Sequence, residues 1–252
     1  MEITLLHAFE VKGSTYTDYM GVNKEFNELH ADELRLKLHD LKTAIETEHG
    51  ILVKTILVKD KLRHAIKLAT EAEQFDLLLM GTYGAGESRS AFWGSNTGAE
   101  IGETNIPILV VPMGYQWKKP LHILFATNDF EDEPAVLNPL FELAELFTAE
   151  IQVVIFTDED DDTPHTFLDH TRTLPNYEFM LKKRYTKNTI TTVQLYGLDF
   201  SESLQAHIDN TAADILVMVT HHRSLWNKLF HPSMTRQMSY HTKIPLLVLS
   251  GK

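Results

Sequence analysis

The sequence predicts an α/β fold made of two Rossmann-like, parallel-sheet domains in tandem. Short apolar runs of strand length alternate with segments whose apolar residues recur at helical spacing. Residues 76–112 and 214–250 also align without a gap at a constant offset of 138 residues. An ungapped match of this length does not arise readily by chance, so the chain is interpreted as two copies of one unit. We place domain 1 at residues 1–115 and domain 2 at residues 120–252.

The first copy supplies strands and helices in strict alternation. Leucine and isoleucine recur at helical spacing between residues 34 and 45, and Gly50 is a natural stop for that helix. The strands are apolar on both faces, which is typical of a parallel sheet covered by helices. The predicted strands are 2–9, 51–58, 75–80 and 106–112, and the further helices are 61–74 and 95–103.

The second copy begins with a strand and a helix, at residues 121–148, that have no counterpart in the first. Pro134 suits a first helical turn, and an apolar stripe follows it at Val136, Leu140, Leu143 and Phe147. We therefore expect domain 1 to lack its first strand and helix. Either its N-terminus is truncated, which we favour, or the first unit departs from its twin.

Composition excludes several classes of function. The net charge of −12 opposes broad contact with nucleic acid or an anionic membrane surface. With no cysteine, the chain has no disulfide, thiol nucleophile or cysteine metal site. No apolar run approaches bilayer length, and the N-terminus lacks the features of a secretion signal, so we expect a cytoplasmic protein.

A glycine-rich loop follows the third strand of the first copy. Gly81 and Gly84 are separated by two residues, and Gly84 and Gly94 by nine, with Ser95 directly after. Loops between a strand's carboxyl end and a helix are where doubly wound sheets bind ligands, and glycine lets backbone amides approach a phosphate. The loop is not a Walker motif, because it lacks Gly-Lys-Ser/Thr, and it lacks the third glycine of a dinucleotide fingerprint.

This G-x2-G-x9-G-S spacing, between "DLLLMGT" and "IPILVVP", resembles the ATP-binding class of universal stress proteins. The resemblance covers nearly the whole chain as a tandem pair. It implies the strand order 3-2-1-4-5, pairing of the two units through their last strands, and ATP, with or without Mg²⁺, as the cofactor. It also implies contacts of Ala8 with adenine and of Met80 and Gly81 with the adenosine side. The phosphates would then be held by Gly84, Gly94, Ser95 and Asn96.

The sequence departs from the family pattern in two places. The family's acidic residue at the end of the first strand belongs to the segment that the first copy lacks; the second copy has Asp129 near that position. In the second copy the glycine positions are Val219, His222 and Pro232. These side chains fill space that phosphates need, and proline has no N–H to donate. We therefore expect nucleotide on the first copy alone.

Three functions follow from these observations. The leading one is regulatory adenine-nucleotide binding in a stress response, with the second copy structural. The alternatives are slow ATP hydrolysis or adenylation, as in the related α-hydrolase fold, and an interaction scaffold that binds no nucleotide. No nucleophile–base set is recognisable, and the adjacent His221 and His222 lack the further ligands of a metal site. The expected partner is an adenine nucleotide; the copies form an intrachain pseudo-dimer, and a homodimer stays open.

Overall fold

The structure is a computed structural model that describes residues 2–10, 22–81, 100–101, 104–127, 129–159, 164–221 and 243–251. The chain forms two compact units, Met1–Gln74 and Phe75–Lys252, called here the N-terminal and the C-terminal unit. The boundary falls inside the first sequence repeat, because the last two strands of that repeat belong to the C-terminal unit. The expected helix at 95–103 lies almost wholly outside the described residues.

The described part of the N-terminal unit is a two-stranded parallel sheet with two helices. Helix α1 ends at His49 because Gly50, with φ of 63°, adopts the left-handed conformation that stops a helix. Strands β1 and β2 pair in parallel over their whole length. The elements are β1 (Glu2–Ala8), α1 (Val22–His49), β2 (Leu52–Val58) and α2 (Leu62–Ala72).

The C-terminal unit contains a seven-stranded sheet in the order β3-β4-β9-β8-β5-β6-β7. Its five strands from the second repeat run β7-β6-β5-β8-β9, which is 3-2-1-4-5 when they are numbered along that repeat. The strands are β3 (Leu78–Gly81), β4 (Ile108–Val111), β5 (His122–Ala126), β6 (Glu150–Asp158), β7 (Ile190–Gly197), β8 (Ile215–His221) and β9 (Leu246–Gly251). The helices are α3 (Pro134–Phe147), α4 (Pro164–Arg184) and α5 (Phe200–Thr211).

The last strands of the two repeats, β4 and β9, pair with each other, as the family resemblance implies, and they run antiparallel. Leu109 lies opposite Leu247, and these two residues are equivalent in the repeat. A pseudo-two-fold axis therefore passes through this pair. Pairing removes an exposed edge from each of the two strands.

The core of the C-terminal unit has two layers, one on each face of the sheet. Ile123 and Phe125 of β5 pack with α3 and α4 on one face, and Leu124 packs with α5 on the other. In α3, Pro134 occupies the first turn, Val136 and Leu140 are buried, and Leu143 and Phe147 are partly buried, in agreement with the predicted stripe.

Asp214, just before β8, attaches the linker between the repeats to the sheet. Its Oδ2 accepts hydrogen bonds from the backbone N–H groups of Leu121 (2.7 Å) and His122 (3.0 Å). Its Oδ1 lies 2.5 Å from Nζ of Lys118. Burial by itself raises the pKa of the Asp214 carboxyl, but the hydrogen bonds from Lys118 and the two amides outweigh it, so the pKa lies below its ordinary value.

Candidate nucleotide site

Gly81 is the last residue of β3, at the carboxyl end of the strand, where it pairs with Val111 of β4. A Cβ built at Gly81 would meet no heavy atom of the described residues within 4 Å, and the φ angle is not left-handed. The backbone conformation at position 81 thus does not require a glycine. Among the described residues Gly81 leaves open space at the end of the strand, which is where a doubly wound sheet receives a ligand.

The equivalent residue of the second repeat, Val219, lies in a different environment. It is 8 % exposed and packs in the core layer that α3 and α4 cover, with Leu249 among its neighbours in that layer. The next residue, Thr220, is also buried, and its hydroxyl donates to the carbonyl of Leu249 at 3.4 Å. Side chains therefore occupy the second repeat at the position where the first has a glycine and open space.

Met80 and Ala8, two further residues implied by the family resemblance, are both half-buried. Met80 packs against the core layer formed with α5, so part of its side chain contributes to the sheet's own packing. Ala8 is the last residue of β1 and pairs with Val58. Ala8 belongs to the N-terminal unit and Met80 to the C-terminal unit.

The four residues expected to hold phosphates, Gly84, Gly94, Ser95 and Asn96, lie outside the described residues. The same holds for His222 and Pro232 in the second repeat. Of the predicted glycine positions and their repeat equivalents, the structure therefore describes Gly81 in β3 and Val219 in β8.

The carboxyl end of β6 carries a buried polar group that the sequence does not reveal. Thr157 Oγ1 lies 3.1 Å from Nδ1 of His170 and accepts a hydrogen bond of 3.0 Å from the side-chain amide of Gln194. Phe130, from the loop after β5, contacts the rings of His170 and Tyr177 edge to face. Only the tertiary fold brings α4, β6 and β7 together, so no local pattern could have identified this set. It places side chains of the protein itself at this end of the second repeat.

Neither a metal cluster nor a membrane-spanning helix is found in the part of the chain that the structure describes. No group of three or more His, Asp or Glu side chains there could hold a metal ion. None of the described helices is both long and apolar enough to cross a bilayer.

Fold and repeat together define a tandem Rossmann-like α/β protein with a glycine-rich sequence directly after one parallel strand. The model of the universal stress protein family matches residues 1–112 and again residues 121–250. The chain belongs to the universal stress protein family.

Solved structures agree with this assignment. A universal stress protein from Archaeoglobus fulgidus DSM 4304 superposes with a TM-score of 0.71 at 17 % identity, covering 99 % of this chain and 87 % of the other. A protein from Pseudomonas aeruginosa UCBPP-PA14, assigned to the same family, has a TM-score of 0.62 at 15 % identity, with coverages of 98 % and 92 %. At these identities the likeness shows the fold. A comparison with curated proteins gives no match.

Among the shorter matches is the universal stress protein from Archaeoglobus fulgidus in complex with dAMP. It has 15 % identity and a TM-score of 0.41, and the match covers 52 % of this chain and 99 % of that one.

Proposed function

We propose that the first repeat binds an adenine nucleotide, with ATP as the ligand, and that the protein acts as a regulatory or sensing module in a stress response. The observation that carries the proposal is the contrast between Gly81 and Val219. At these equivalent positions, no heavy atom of the described residues lies within 4 Å of a Cβ built at Gly81, whereas the Val219 side chain is buried in the core.

ATP is an anion, and the chain itself carries a net charge of −12. The overall field repels ATP, so attraction must come from local backbone dipoles at close range. Glycine at positions 84 and 94 lets N–H groups approach the phosphates, and Ser95 adds a hydroxyl at a predicted helix N-terminus. A helix N-terminus favours a negative charge by roughly 0.3–1 kcal/mol.

The proposal is tested by equilibrium binding of ATP to the full chain and to the variant Gly81→Val, which introduces the residue of the second repeat. Because a Cβ meets open space at this position, the fold should be retained, with an unchanged circular dichroism spectrum and melting temperature. ATP binding should be lost. Gly84→Val and Gly94→Val should have the same effect, whereas His222→Ala in the second repeat should leave binding intact.

Undiminished ATP binding by the three glycine variants, or loss of binding in His222→Ala, would contradict the assignment to the first repeat. ADP, AMP and cyclic AMP, measured in parallel, identify which part of the nucleotide supplies the affinity. A turnover assay with Mg²⁺ separates a binding module from a slow ATP hydrolase.

A further inference from the structure

Phe130, in the loop between β5 and α3, has a backbone conformation that its residue type disfavours. Its φ angle is 47°, in the left-handed region, where a bulky side chain is an outlier. Two other described non-glycine residues have a positive φ, Thr148 and Ala212, and each directly follows a helix, where a left-handed residue commonly ends the helix. Phe130 follows a strand instead, so a helix end does not account for its strain.

The ring of Phe130 is held by two aromatic side chains of α4. It meets the ring of Tyr177 at a centroid distance of 5.3 Å and that of His170 at 5.9 Å, edge to face in both cases. Phe130 is also partly buried against the core layer that α3 and α4 cover. Such ring contacts are favourable and offset the backbone strain. The strained conformation therefore persists because its neighbours bind the ring.

The residues after Phe130 are attached to α4 by bonds that do not involve its ring. The Tyr177 hydroxyl donates to the Glu131 carbonyl at 2.5 Å, and the Arg184 guanidinium donates to the Asp132 carbonyl. Departure of the Phe130 ring breaks neither bond, and it releases the left-handed φ angle. The loop can therefore stay attached to α4 while Phe130 changes conformation.

Next to the ring, His170 belongs to a chain of hydrogen bonds with a defined direction. The Gln194 amide donates to Thr157 Oγ1 at 3.0 Å, and this oxygen lies 3.1 Å from Nδ1 of His170. Thr157 and His170 are 4 % and 6 % exposed. A buried hydroxyl needs an acceptor for its own hydrogen, and Nδ1 is the acceptor that the described residues offer. His170 is therefore the tautomer that carries its hydrogen on Nε2.

The Nε2–H group of His170 has no acceptor among the described residues. Thr157, bonded to Nδ1, is the hydrogen-bond partner that the imidazole has in that part of the chain. A donor on a side chain this deeply buried costs free energy unless a group outside the protein accepts from it. Thr157 stands one residue before the end of β6, and the carboxyl ends of parallel strands are where α/β sheets bind ligands.

The charges of the loop limit what such a ligand can be. Residues 129–133 contain four acidic residues and no basic one. A phosphate or carboxylate group on the ligand would be repelled by this loop. An uncharged ring would not be repelled.

We propose that the Phe130 ring occupies a binding site of the second repeat for an uncharged, six-membered, pyridine-type ring. The ligand ring takes the place of the Phe130 ring against Tyr177 and His170. Its ring nitrogen accepts a hydrogen bond from Nε2–H of His170. The displaced Phe130 loses its aromatic contacts and regains an ordinary φ angle. This site is separate from the nucleotide site proposed for the first repeat, and neither depends on the other.

Pyridine and benzene are the probes, because both match the Phe130 ring in size and they differ by one ring nitrogen. Binding to the full chain at neutral pH is followed by NMR titration. Phe130→Gly removes the competing ring and places at φ of 47° the residue that tolerates it. It should bind pyridine at least about tenfold more tightly than the parent, because the displaced state of the parent is at most about a tenth of the molecules.

The hydrogen bond is tested by His170→Phe in the Phe130→Gly background. The ratio of pyridine affinity to benzene affinity should fall about fivefold, the loss expected for one hydrogen bond, and the ratio cancels the different hydration of the two probes. His165→Phe in the same background changes an exposed histidine of α4 and should leave the ratio unchanged. Phe179→Ala changes a phenylalanine that is 69 % exposed on α4 and should bind both probes as the parent does.

Nitrogen NMR of the parent supplies a measurement that needs no variant, because Nε2 of His170 must carry the hydrogen and must shift when pyridine binds. An Nδ1–H tautomer, or an unchanged affinity ratio in His170→Phe, would overturn the hydrogen bond to the ligand. Absence of saturable pyridine binding to Phe130→Gly, or equal affinity of this variant and the parent, would overturn the site. Pyridine binding that ATP displaces would place the probe in the first repeat instead.

Discussion

Replacing Asp214 by alanine should destabilise the protein far more than the same replacement at its repeat equivalent, Asp76. The Asp214 side chain is 6 % exposed and accepts from Lys118 and from the amides of Leu121 and His122. Lys118 is 57 % exposed, so the ion pair contributes little. The two amides lose a charged acceptor at the start of a buried strand, at about 1.5 kcal/mol each. The expected loss in the free energy of unfolding is therefore about 3 kcal/mol.

The assay is urea unfolding of the full chain, followed by circular dichroism, for Asp214→Ala, Asp76→Ala and Lys118→Ala. Asp76 is exposed and unpaired among the described residues, so its replacement should change the free energy of unfolding by no more than about 0.5 kcal/mol. Lys118→Ala should cost less than about 1 kcal/mol. A loss for Asp214→Ala no larger than that for Asp76→Ala would refute the reasoning, since the two amides would then gain nothing from the carboxylate.

Three further outcomes are expected. The folded-state pKa of Asp214 lies below its ordinary value of 3.8, so the stability that its carboxylate contributes is complete above that pH and is lost as pH falls through the lower folded value. The difference in urea midpoint between the parent and Asp214→Asn should therefore shrink from about pH 7 to about pH 3. A constant difference would contradict this. Tyr177→Phe should lower the free energy of unfolding by about 1 kcal/mol, because the buried hydroxyl donates to the Glu131 carbonyl at 2.5 Å. An unchanged free energy in urea unfolding would mean that this hydrogen bond does not stabilise the fold. Thr148, at φ of 57°, and Gly50, at φ of 63°, both have the left-handed conformation that favours glycine. Thr148→Gly should therefore raise the melting temperature and increase the free energy of unfolding by about 1 kcal/mol, whereas Gly50→Ala should lower both. Stability changes of the same sign in the two variants would disprove the role of backbone strain.

The local chemistry of the sequence was enough to predict much of the fold. The 138-residue repeat and the apolar runs predicted two like units, and the family resemblance implied the pairing of their last strands, β4 and β9. These features depend on the periodicity of apolar residues and on the similarity of two segments in sequence, and both can be read directly along the chain. The difference in residue type between Gly81 and Val219 was visible in the same way, because residue type is read directly along the chain.

Other properties depended on the tertiary structure. Asp76 and Asp214 are the same residue at the same place in the repeat, yet one is exposed and the other holds amides 92 and 93 positions away in the chain. Leu79 and Val217 differ in burial for the same reason, because β5 and α3 cover only one of them. Burial and hydrogen bonding are set by which segments the fold brings alongside, and such partners are distant in sequence, so no local pattern records them.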